Sequence, residues 1–275
     1  MSGRTVIVTG ASSGIGEATA RAFGRAGDRV VLAARRVDRL NQLAGGLPDS
    51  LVVAADLTRA EDVDRVAASA LTRYGTIDVL VNNAGLGRYD WLERLPEDDI
   101  LAQIQVNLTA PILLARAVLP AMQAQRRGVI INVCSVAGKI ATPTTTIYNT
   151  TKFGLDGFSE ALRREVRPQG IHVCAIYPGP VAGTEFGEHS RGTTLGGARP
   201  GWTRTTTERV AWAIVGLADR PRARCVIPRF YGAVIFVNMV LPSLSDLVLM
   251  RVARRALAQR AAAQPDQSWP GAPSH

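Results

Sequence analysis

Short runs of consecutive apolar residues recur along the chain, separated by stretches in which apolar residues return every three to four positions. An uninterrupted apolar run is typical of a strand buried on both faces, and the longer period is typical of an amphipathic helix. Seven runs predict strands, at residues 5–9, 29–34, 51–55, 77–82, 129–134, 171–177 and 224–228.

The stretches between these strands predict helices, as expected of parallel βαβ units. They cover residues 15–26, a polar stretch ending near Ala44, and residues 59–74, 96–125, 148–166 and 206–218. Because proline has no N–H to donate, Pro111 and Pro120 are expected to interrupt the long helix at 96–125. The predicted fold class is α/β: a doubly wound seven-stranded parallel sheet of Rossmann type with helices on both faces.

The organisation along the chain predicts one catalytic domain over residues 1–228. An apolar C-terminal extension over residues 229–263 is expected to pack on the same domain, and residues 264–275 are expected to form a disordered tail. The glycine-rich segment 179–202 is irregular in pattern, and a loop of that length inside a compact domain is commonly functional.

The bulk composition excludes a disordered chain, because 47% of the 275 residues are hydrophobic and 20% are charged. The formal charge is +9, which raises nucleic acid, an anionic membrane or an anionic cofactor as partners. Arginine supplies nearly all of this charge, since Lys139 and Lys152 are the two lysines. Basic and aromatic residues are not interleaved, so we predict no nucleic-acid partner.

The three cysteines lie far apart in strand-like apolar runs. This placement predicts that Cys134, Cys174 and Cys225 are buried thiols in a reducing compartment, with no disulfide and no metal site. The first apolar run is too short for the core of a signal peptide, so we expect a cytoplasmic protein.

A glycine-rich turn joins the first strand to the first helix. Glycines at this point let the backbone turn tightly and approach a pyrophosphate, whose charge lies at the helix N-terminus. The spacing differs from GxGxxG, and an ordinary βα turn is the alternative. The candidate cofactor-binding residues of the turn are Gly10, Ser12, Ser13, Gly14, Ile15 and Gly16.

The end of the second strand predicts which dinucleotide binds. An acidic residue usually accepts a ribose hydroxyl there in NAD-binding folds. Here Ala34 occupies the position of that acidic residue, and Arg35 and Arg36 follow it. Guanidinium groups pair well with a 2′-phosphate, so the sequence favours NADP(H); solvated residues at a helix start are the alternative.

Two further turns follow strands at the same predicted edge of the sheet. Asp56 and Leu57 follow the third strand, where the carboxylate is placed to accept from an adenine amino group. Asn82, at the end of the fourth strand, is followed by Asn83, Ala84 and Gly85. Ligands bind at this edge in open α/β sheets, although residues of these types are also ordinary turn formers.

Tyr148 and Lys152 lie four residues apart, so on a helix they share a face. A free phenol has a pKa near 10, and a nearby ammonium lowers that value. The pair therefore suits proton transfer to or from a substrate oxygen. A surface tyrosine beside a lysine stem is the alternative for this pattern taken by itself.

Together the motifs resemble the short-chain dehydrogenase/reductase family. They run in order as TGxxxGxG at 9–16, NNAG at 82–85, Asn107 in the long helix, Ser135 after the fifth strand, and YxxxK at 148–152, and the resemblance covers roughly residues 4–230. It implies an NADP(H)-dependent alcohol dehydrogenase or carbonyl reductase that acts on a hydrophobic ketone, aldehyde or alcohol. A non-catalytic NADP-binding regulator on the same fold is the alternative function.

The resemblance also implies roles for individual residues. Tyr148 would be the general acid/base, and Lys152 would lower its pKa and bind the nicotinamide ribose. Ser135 would polarise the substrate carbonyl, and Asn107 would hold a water in a proton relay.

The segment after the sixth strand would contact the nicotinamide, through Pro178, Gly179 and Val181. The family often has threonine five residues after that proline. Here Gly183 stands at that position and Thr184 follows, which puts this contact in doubt. The resemblance further implies a homodimer or homotetramer, formed through helices at 98–126 and 148–167.

The apolar run at 230–250 has the length of a membrane span but contains Pro242 and Asp246, and arginines follow it. Three interpretations stay open: a lid on the substrate pocket, a dimer contact, or a peripheral in-plane helix that touches a membrane through 230–260. Phe186, Leu195, Trp202 and Phe230 are expected to make the substrate pocket hydrophobic.

Overall fold

Seven parallel strands form a single sheet in the order β3-β2-β1-β4-β5-β6-β7. The structure is a computed structural model that describes residues 3–182, 184, 186 and 203–263, with the backbone alone at 256 and 259–263. The strands are β1 Thr5–Thr9, β2 Arg29–Ala34, β3 Ser50–Ala54, β4 Val79–Asn82, β5 Gly128–Val133, β6 Ile171–Pro178 and β7 Arg224–Ile227. The predicted sheet is confirmed.

Helices alternate with these strands, and two more follow the last strand. They are α1 Gly14–Arg25, α2 Val37–Ala44, α3 Ala60–Tyr74, α4 Glu97–Ile104, α5 Ala110–Gln125, α6 Thr146–Val166, α7 Thr207–Asp219, α8 Tyr231–Val240 and α9 Pro242–Ala263. Short 3₁₀ turns at Leu92–Arg94, Val136–Gly138 and Arg167–Gln169 join some of them.

Apolar side chains fill the space on both faces of the sheet. On one face Phe23 of α1, Leu40 of α2 and Ile214 of α7 pack on the strands. On the other face the buried side chains include Val66 of α3 and Leu114 of α5. Helices therefore cover both faces, which explains why the strands are mainly apolar and do not alternate regularly with polar residues.

The carboxyl ends of the strands meet along one edge of the sheet. The order reverses between β1 and β4. Strand β1 pairs in parallel with both β2 and β4, so that Ile7 lies opposite Val31 of β2 and Leu80 of β4. A crevice opens outside the sheet at such a reversal, and this is the usual ligand position in open α/β folds.

The long helix predicted at 96–125 is interrupted once. A π-helical turn, Gln105–Thr109, separates α4 from α5, and Pro111 lies in the first turn of α5, where its missing N–H costs little. The predicted interruption at Pro120 was wrong, because α5 continues through it. Pro120 is exposed, so water reaches the carbonyl that the proline leaves without a donor.

Among the described residues, the stretch Glu97–Gln125 is long and apolar enough to cross a membrane. It packs on the sheet, however, and Val118 and Met122 are fully buried in the core. Its apolar character is therefore explained by its place inside the fold. The segments Tyr231–Val240 and Pro242–Arg255 pass the same test only as a pair, bent by 109°.

The three cysteines are free thiols. Cys134 and Cys174 are buried, as predicted, whereas Cys225 is only half-buried because it lies on the edge strand β7. Burial raises the pKa of the Cys134 thiol to about 12, so this thiol is protonated and inert at neutral pH.

Candidate active site

The glycine turn is tied to the end of β4. The hydroxyl of Thr9 accepts hydrogen bonds from the backbone N–H of Asn83 and of Ala84, both at 3.0 Å, and the Asn83 amide donates to the Thr9 carbonyl at 2.8 Å. Gly10 has φ +65°, and a Cβ on Gly16 would lie 2.1 Å from the Gly10 carbonyl oxygen. Side chains at these two positions would therefore break the turn.

The N-terminus of α1 opens toward this turn. Ser13 is the N-cap residue, and no described side chain caps the first turn of the helix. Instead Arg36 donates to both serines of the turn, to the Ser13 hydroxyl at 2.7 Å and the Ser12 hydroxyl at 3.2 Å. The free N–H groups, the helix dipole and the guanidinium together make a site that favours an anion.

Two residues that follow neighbouring strands flank this anion site. Ala34 ends β2 where a carboxylate would otherwise stand, and the exposed side chain of Arg35 follows it. Asp56, after β3, accepts hydrogen bonds from the backbone and hydroxyl of Thr58, so it forms a turn as well as facing the same crevice.

Tyr148 and Lys152 lie on α6, beside the loop that follows β5. Both are nearly buried, with 9% and 4% of their surface exposed. The ammonium of Lys152 lies 5.8 Å from the centre of the Tyr148 ring and donates to the carbonyl of Val133 at 2.8 Å. Ser135 and Tyr148 line the same cleft, and the Ser135 Oγ accepts from the backbone N–H of Ala137 at 3.1 Å.

The expected lowering of the Tyr148 pKa by Lys152 is not the dominant effect in the protein by itself. Burial raises the pKa of Tyr148 to about 12, against a smaller opposing effect of the hydrogen bond with Ser135. Burial also lowers the pKa of Lys152 to about 8. The physical reason is that both groups are removed from water, and the ammonium is directed at a backbone carbonyl. At neutral pH the phenol therefore carries its proton.

Asn107 lies in the π-helical turn and is fully buried. Its side chain accepts from the backbone N–H of Leu86 at 2.7 Å and donates to the Leu86 carbonyl at 2.9 Å. It also donates to the Thr151 hydroxyl at 3.2 Å, on the residue next to Lys152. Asn107 thus fastens the loop after β4 to the helix that carries the Tyr–Lys pair.

All these parts meet in one cleft of about 1100 Å³ at the carboxyl edge of the sheet. The structure describes all the site residues that the sequence predicted. Gly16 and Asn107 do not line the cleft, and the others do. Those are Gly10, Ser12, Ser13, Gly14, Ile15, Arg35, Arg36, Asp56, Leu57, Asn83, Ala84, Gly85, Ser135, Tyr148, Lys152, Pro178, Gly179 and Val181.

Aromatic and aliphatic residues line the cleft near the Tyr148 ring. The rings of Tyr89 and Phe186 meet the Tyr148 ring edge-on, with centroids 5.5 and 5.7 Å away. Tyr231 and Val234 of α8 line the same cleft. Phe186 was predicted from the sequence, whereas Tyr89, Tyr231 and Val234 were not, because their positions depend on how a loop and the helix α8 fold back onto the cleft.

One predicted pocket residue is corrected by the structure, and others lie outside the described residues. Among the described residues Phe230 does not line the cleft; it packs on the ring of Tyr231, centroids 4.3 Å apart, and the next residue faces inward instead. Leu195, Trp202 and the glycine at 183 lie outside the described residues, as does the predicted tail 264–275. Thr184 lines the cleft.

An ion pair that the sequence analysis missed joins the Ser135 loop to α6. Lys139 Nζ lies 2.5 Å from Asp156 Oδ2, and the Tyr177 hydroxyl donates to the other oxygen of the same carboxylate. A lysine in a chain that otherwise uses arginine was a usable signal, but the sequence does not reveal the partner of Lys139.

A family model described as short chain dehydrogenase matches residues 4–194 of this chain. The chain therefore belongs to the short-chain dehydrogenase family, a family of oxidoreductases. An uncharacterized oxidoreductase of Staphylococcus saprophyticus is 37% identical over 190 residues, which cover 68% of this chain and 77% of the relative. A 3-oxoacyl-[acyl-carrier-protein] reductase of Synechocystis is 35% identical over 230 residues, which cover 81% and 92%.

Solved structures of the family share the fold. A short-chain dehydrogenase from Streptomyces avermitilis has a TM-score of 0.78 and 29% identity, over 92% of this chain and 98% of its own. An alcohol dehydrogenase from Thermococcus sibiricus, complexed with 5-hydroxy-NADP, has a TM-score of 0.73 and 29% identity, over 83% and 97%. A 3-ketoacyl-(acyl-carrier-protein) reductase from Brucella melitensis, complexed with NADH, has a TM-score of 0.76 and 27% identity, over 82% and 96%.

Proposed function

We propose that the protein is an NADP(H)-dependent reductase of apolar ketones or aldehydes that also catalyses the reverse oxidation of alcohols. The observation that carries the proposal is that Ser135, Tyr148 and Lys152 line the same cleft as the glycine turn and Arg35. A proton-transfer group and an anion site thus lie in one cavity large enough for a dinucleotide and a small substrate.

The residues of the cleft fit a dinucleotide phosphate. A Cβ at Gly10 or Gly16 would collide with the turn itself or with Asn83 and Ala84, so the two glycines keep the turn that faces the cleft in its shape. The open N-terminus of α1 suits the pyrophosphate. Ala34 removes the carboxylate that would repel a 2′-phosphate, and Arg35 and Arg36 supply cations beside it. Family members are complexed with 5-hydroxy-NADP and with NADH, and these residues favour NADP(H) for this chain.

When bound, the nicotinamide supplies or accepts the hydride. The chain's own residues handle the proton. As the substrate carbonyl is reduced, its oxygen gains negative charge, and the Ser135 hydroxyl is placed to donate a hydrogen bond to it. Tyr148, protonated at neutral pH, then donates its proton to that oxygen. The positive charge of Lys152 stabilises the phenolate that is left, which regains its proton from solvent.

The substrate class follows from the walls of the cleft near Tyr148. Tyr89 and Phe186 contact the Tyr148 ring and Val234 lines the same cleft, and these apolar side chains favour a hydrophobic carbonyl compound over a charged one. Asn107 acts as a positioning residue, because it holds the Leu86 backbone and Thr151 on either side of the site.

The proposal is tested with the purified full chain. It is mixed with NADPH or NADH and a panel of apolar and charged ketones and aldehydes, and loss of the reduced-nicotinamide absorbance is followed. We expect apolar carbonyl compounds to be reduced, and at limiting cofactor concentration we expect the reaction to be faster with NADPH than with NADH. Tight NADPH binding with no turnover on any member of the panel would instead indicate a cofactor-binding regulator.

A further inference from the structure

The C-terminal helix α8 is apolar on every side, yet it is not buried. All ten of its residues are described, and each is at least partly exposed. A helix that is apolar all round normally lies inside a core or in a membrane. Its one amide side chain, Asn238, is turned inward, where it donates to the Lys139 carbonyl at 3.2 Å. The outward surface of α8 is consequently formed by apolar side chains.

The exposed surface continues from α8 into the first half of α9. Large apolar residues on it are each between 41% and 69% exposed, with Met239 and Phe236 the most exposed. We call this surface the apolar face; it consists of Phe236, Val237, Met239, Val240, Leu241, Leu244, Leu247, Val248 and Met250. Exposed apolar residues concentrated on two consecutive helices in this way mark a surface that another molecule or a membrane covers.

The charges at the ends of the apolar face determine which occupant it fits. Arg229 precedes the face, and Arg251, Arg254 and Arg255 follow it, all exposed, while Asp246 is the one acidic residue between positions 229 and 263. An anionic surface complements this charge. Two copies of the chain paired through the face would instead bring two sets of arginines together, with a single carboxylate from each copy to offset them.

The shape of the two helices suits the plane of a bilayer and not a span across it. The pair bends by 109° at Leu241. The ten residues of α8 extend about 15 Å, half of the ~30 Å hydrocarbon core. If α9 crossed the bilayer, Arg251, Arg254 and Arg255 would lie in hydrocarbon, which is strongly unfavourable. An in-plane position lets the arginines reach the lipid phosphates.

We propose that the apolar face of α8 and α9 docks on an anionic lipid bilayer as a peripheral, in-plane contact. Apolar side chains enter the region between headgroups and acyl chains, and the arginines pair with lipid phosphates. Tyr231 and Val234 of the same helix line the cleft, so docking brings the cleft beside the lipid. That an apolar substrate then enters from the bilayer rests on the proposed function; the docking itself does not.

The test uses the full chain and vesicles in a sedimentation assay. We expect binding to phosphatidylcholine vesicles that contain phosphatidylglycerol, and weaker binding to phosphatidylcholine alone or at high salt. The double variant Phe236→Glu/Met239→Glu should bind at least about tenfold more weakly, since two exposed apolar side chains are lost. Trp212→Glu is the matched control: Trp212 is 60% exposed on α7, and its replacement should leave binding unchanged.

Other outcomes would overturn the docking proposal. They are absence of vesicle binding by the wild type, equal binding by the double variant, or a dimer in lipid-free solution that the double variant dissociates while vesicles bind neither protein. The double variant changes exposed positions, so an unchanged melting temperature and unchanged NADPH affinity show that it is folded. Vesicle binding without any carbonyl reduction would reject the proposed function and leave the docking intact.

Discussion

Lys152 directs its ammonium at the carbonyl of Val133, 2.8 Å away, while it lies 5.8 Å from the centre of the Tyr148 ring. The lysine therefore acts on the tyrosine through charge at a distance and not through a direct hydrogen bond. In a buried site such a charge has little effect while the phenol is neutral, but it attracts the phenolate strongly. In the proposed mechanism, the charge of Lys152 therefore matters most when Tyr148 loses its proton.

The pKa of Lys152 predicts how reduction depends on pH. The ammonium is present below a pKa of about 8 and lost above it. Because the positive charge stabilises the phenolate, kcat/KM for carbonyl reduction should fall as pH rises through about 8. This fall in kcat/KM should not arise from Tyr148, because its pKa is raised to about 12.

A conservative variant checks this assignment. Lys152→Arg keeps its charge at all accessible pH values, so any activity that it retains should show no fall near pH 8. A descending limb at the same pH in the arginine variant would assign the titration to another group. The measurement is a pH profile of kcat/KM at saturating NADPH.

Ala34 and Arg35 predict the cofactor preference. Ala34→Asp places a carboxylate beside the proposed 2′-phosphate site and should raise the Kd for NADPH about tenfold or more, while NADH binding is kept or improved. Arg35→Ala should weaken NADPH selectively. Arg25→Ala, at the far end of α1, is the matched control. Fluorescence titration with both cofactors gives the affinities, and an unchanged NADPH:NADH ratio in both test variants contradicts the assignment.

The ion pair between Lys139 and Asp156 predicts a positioning effect. It joins the loop that bears Ser135 to the helix that bears Tyr148, so Lys139→Met should lower kcat by roughly tenfold to a hundredfold. The Kd for NADPH should stay within about twofold, since the pair lies away from the glycine turn.

A double-mutant cycle separates this effect from general loss of stability. If the two residues act as one unit, Lys139→Met/Asp156→Asn should be barely slower than either single variant. Fully additive losses in kcat, or losses that follow the melting temperature alone, would argue against a positioning role.

Val234 predicts a limit on substrate size. It lies on α8 and lines the cleft, so Val234→Phe should lower kcat/KM for a bulky ketone by about tenfold and change it little for a small aldehyde. Val240→Phe, on the exposed side of the same helix, is the control. Equal effects on large and small substrates would place the substrate elsewhere in the cleft.

The sequence predicted the sheet and the gathering of the candidate cofactor residues in one cleft, for a local reason. Each strand contains a run of apolar residues, and residues such as Gly10 and Arg35 directly follow strands whose carboxyl ends must meet at one edge. Pro120 was misjudged because its effect depends on whether it faces solvent, and the sequence does not carry that information.

The substrate side was harder to predict because it is built by tertiary contacts. Tyr231 enters the cleft only because α8 returns to the sheet after β7, and Asp156 finds Lys139 across two elements. The raised pKa of Tyr148 likewise depends on burial, which outweighs the neighbouring lysine. The spacing of Tyr148 and Lys152 predicted that they share a helix face. It did not predict how burial and charge together set the pKa of Tyr148.

The replacement of Tyr148 by phenylalanine tests the central claim most directly. The variant keeps the ring that Tyr89 and Phe186 contact and loses only the hydroxyl, so NADPH should still bind. In a single-turnover mixture with an apolar carbonyl substrate, cofactor oxidation should slow by about 10²-fold or more relative to the wild type. Tyr89→Phe, which removes a neighbouring hydroxyl, should remain within a few-fold of the wild type. Cofactor oxidation by Tyr148→Phe at the wild-type rate would contradict the assignment of Tyr148 as the proton donor.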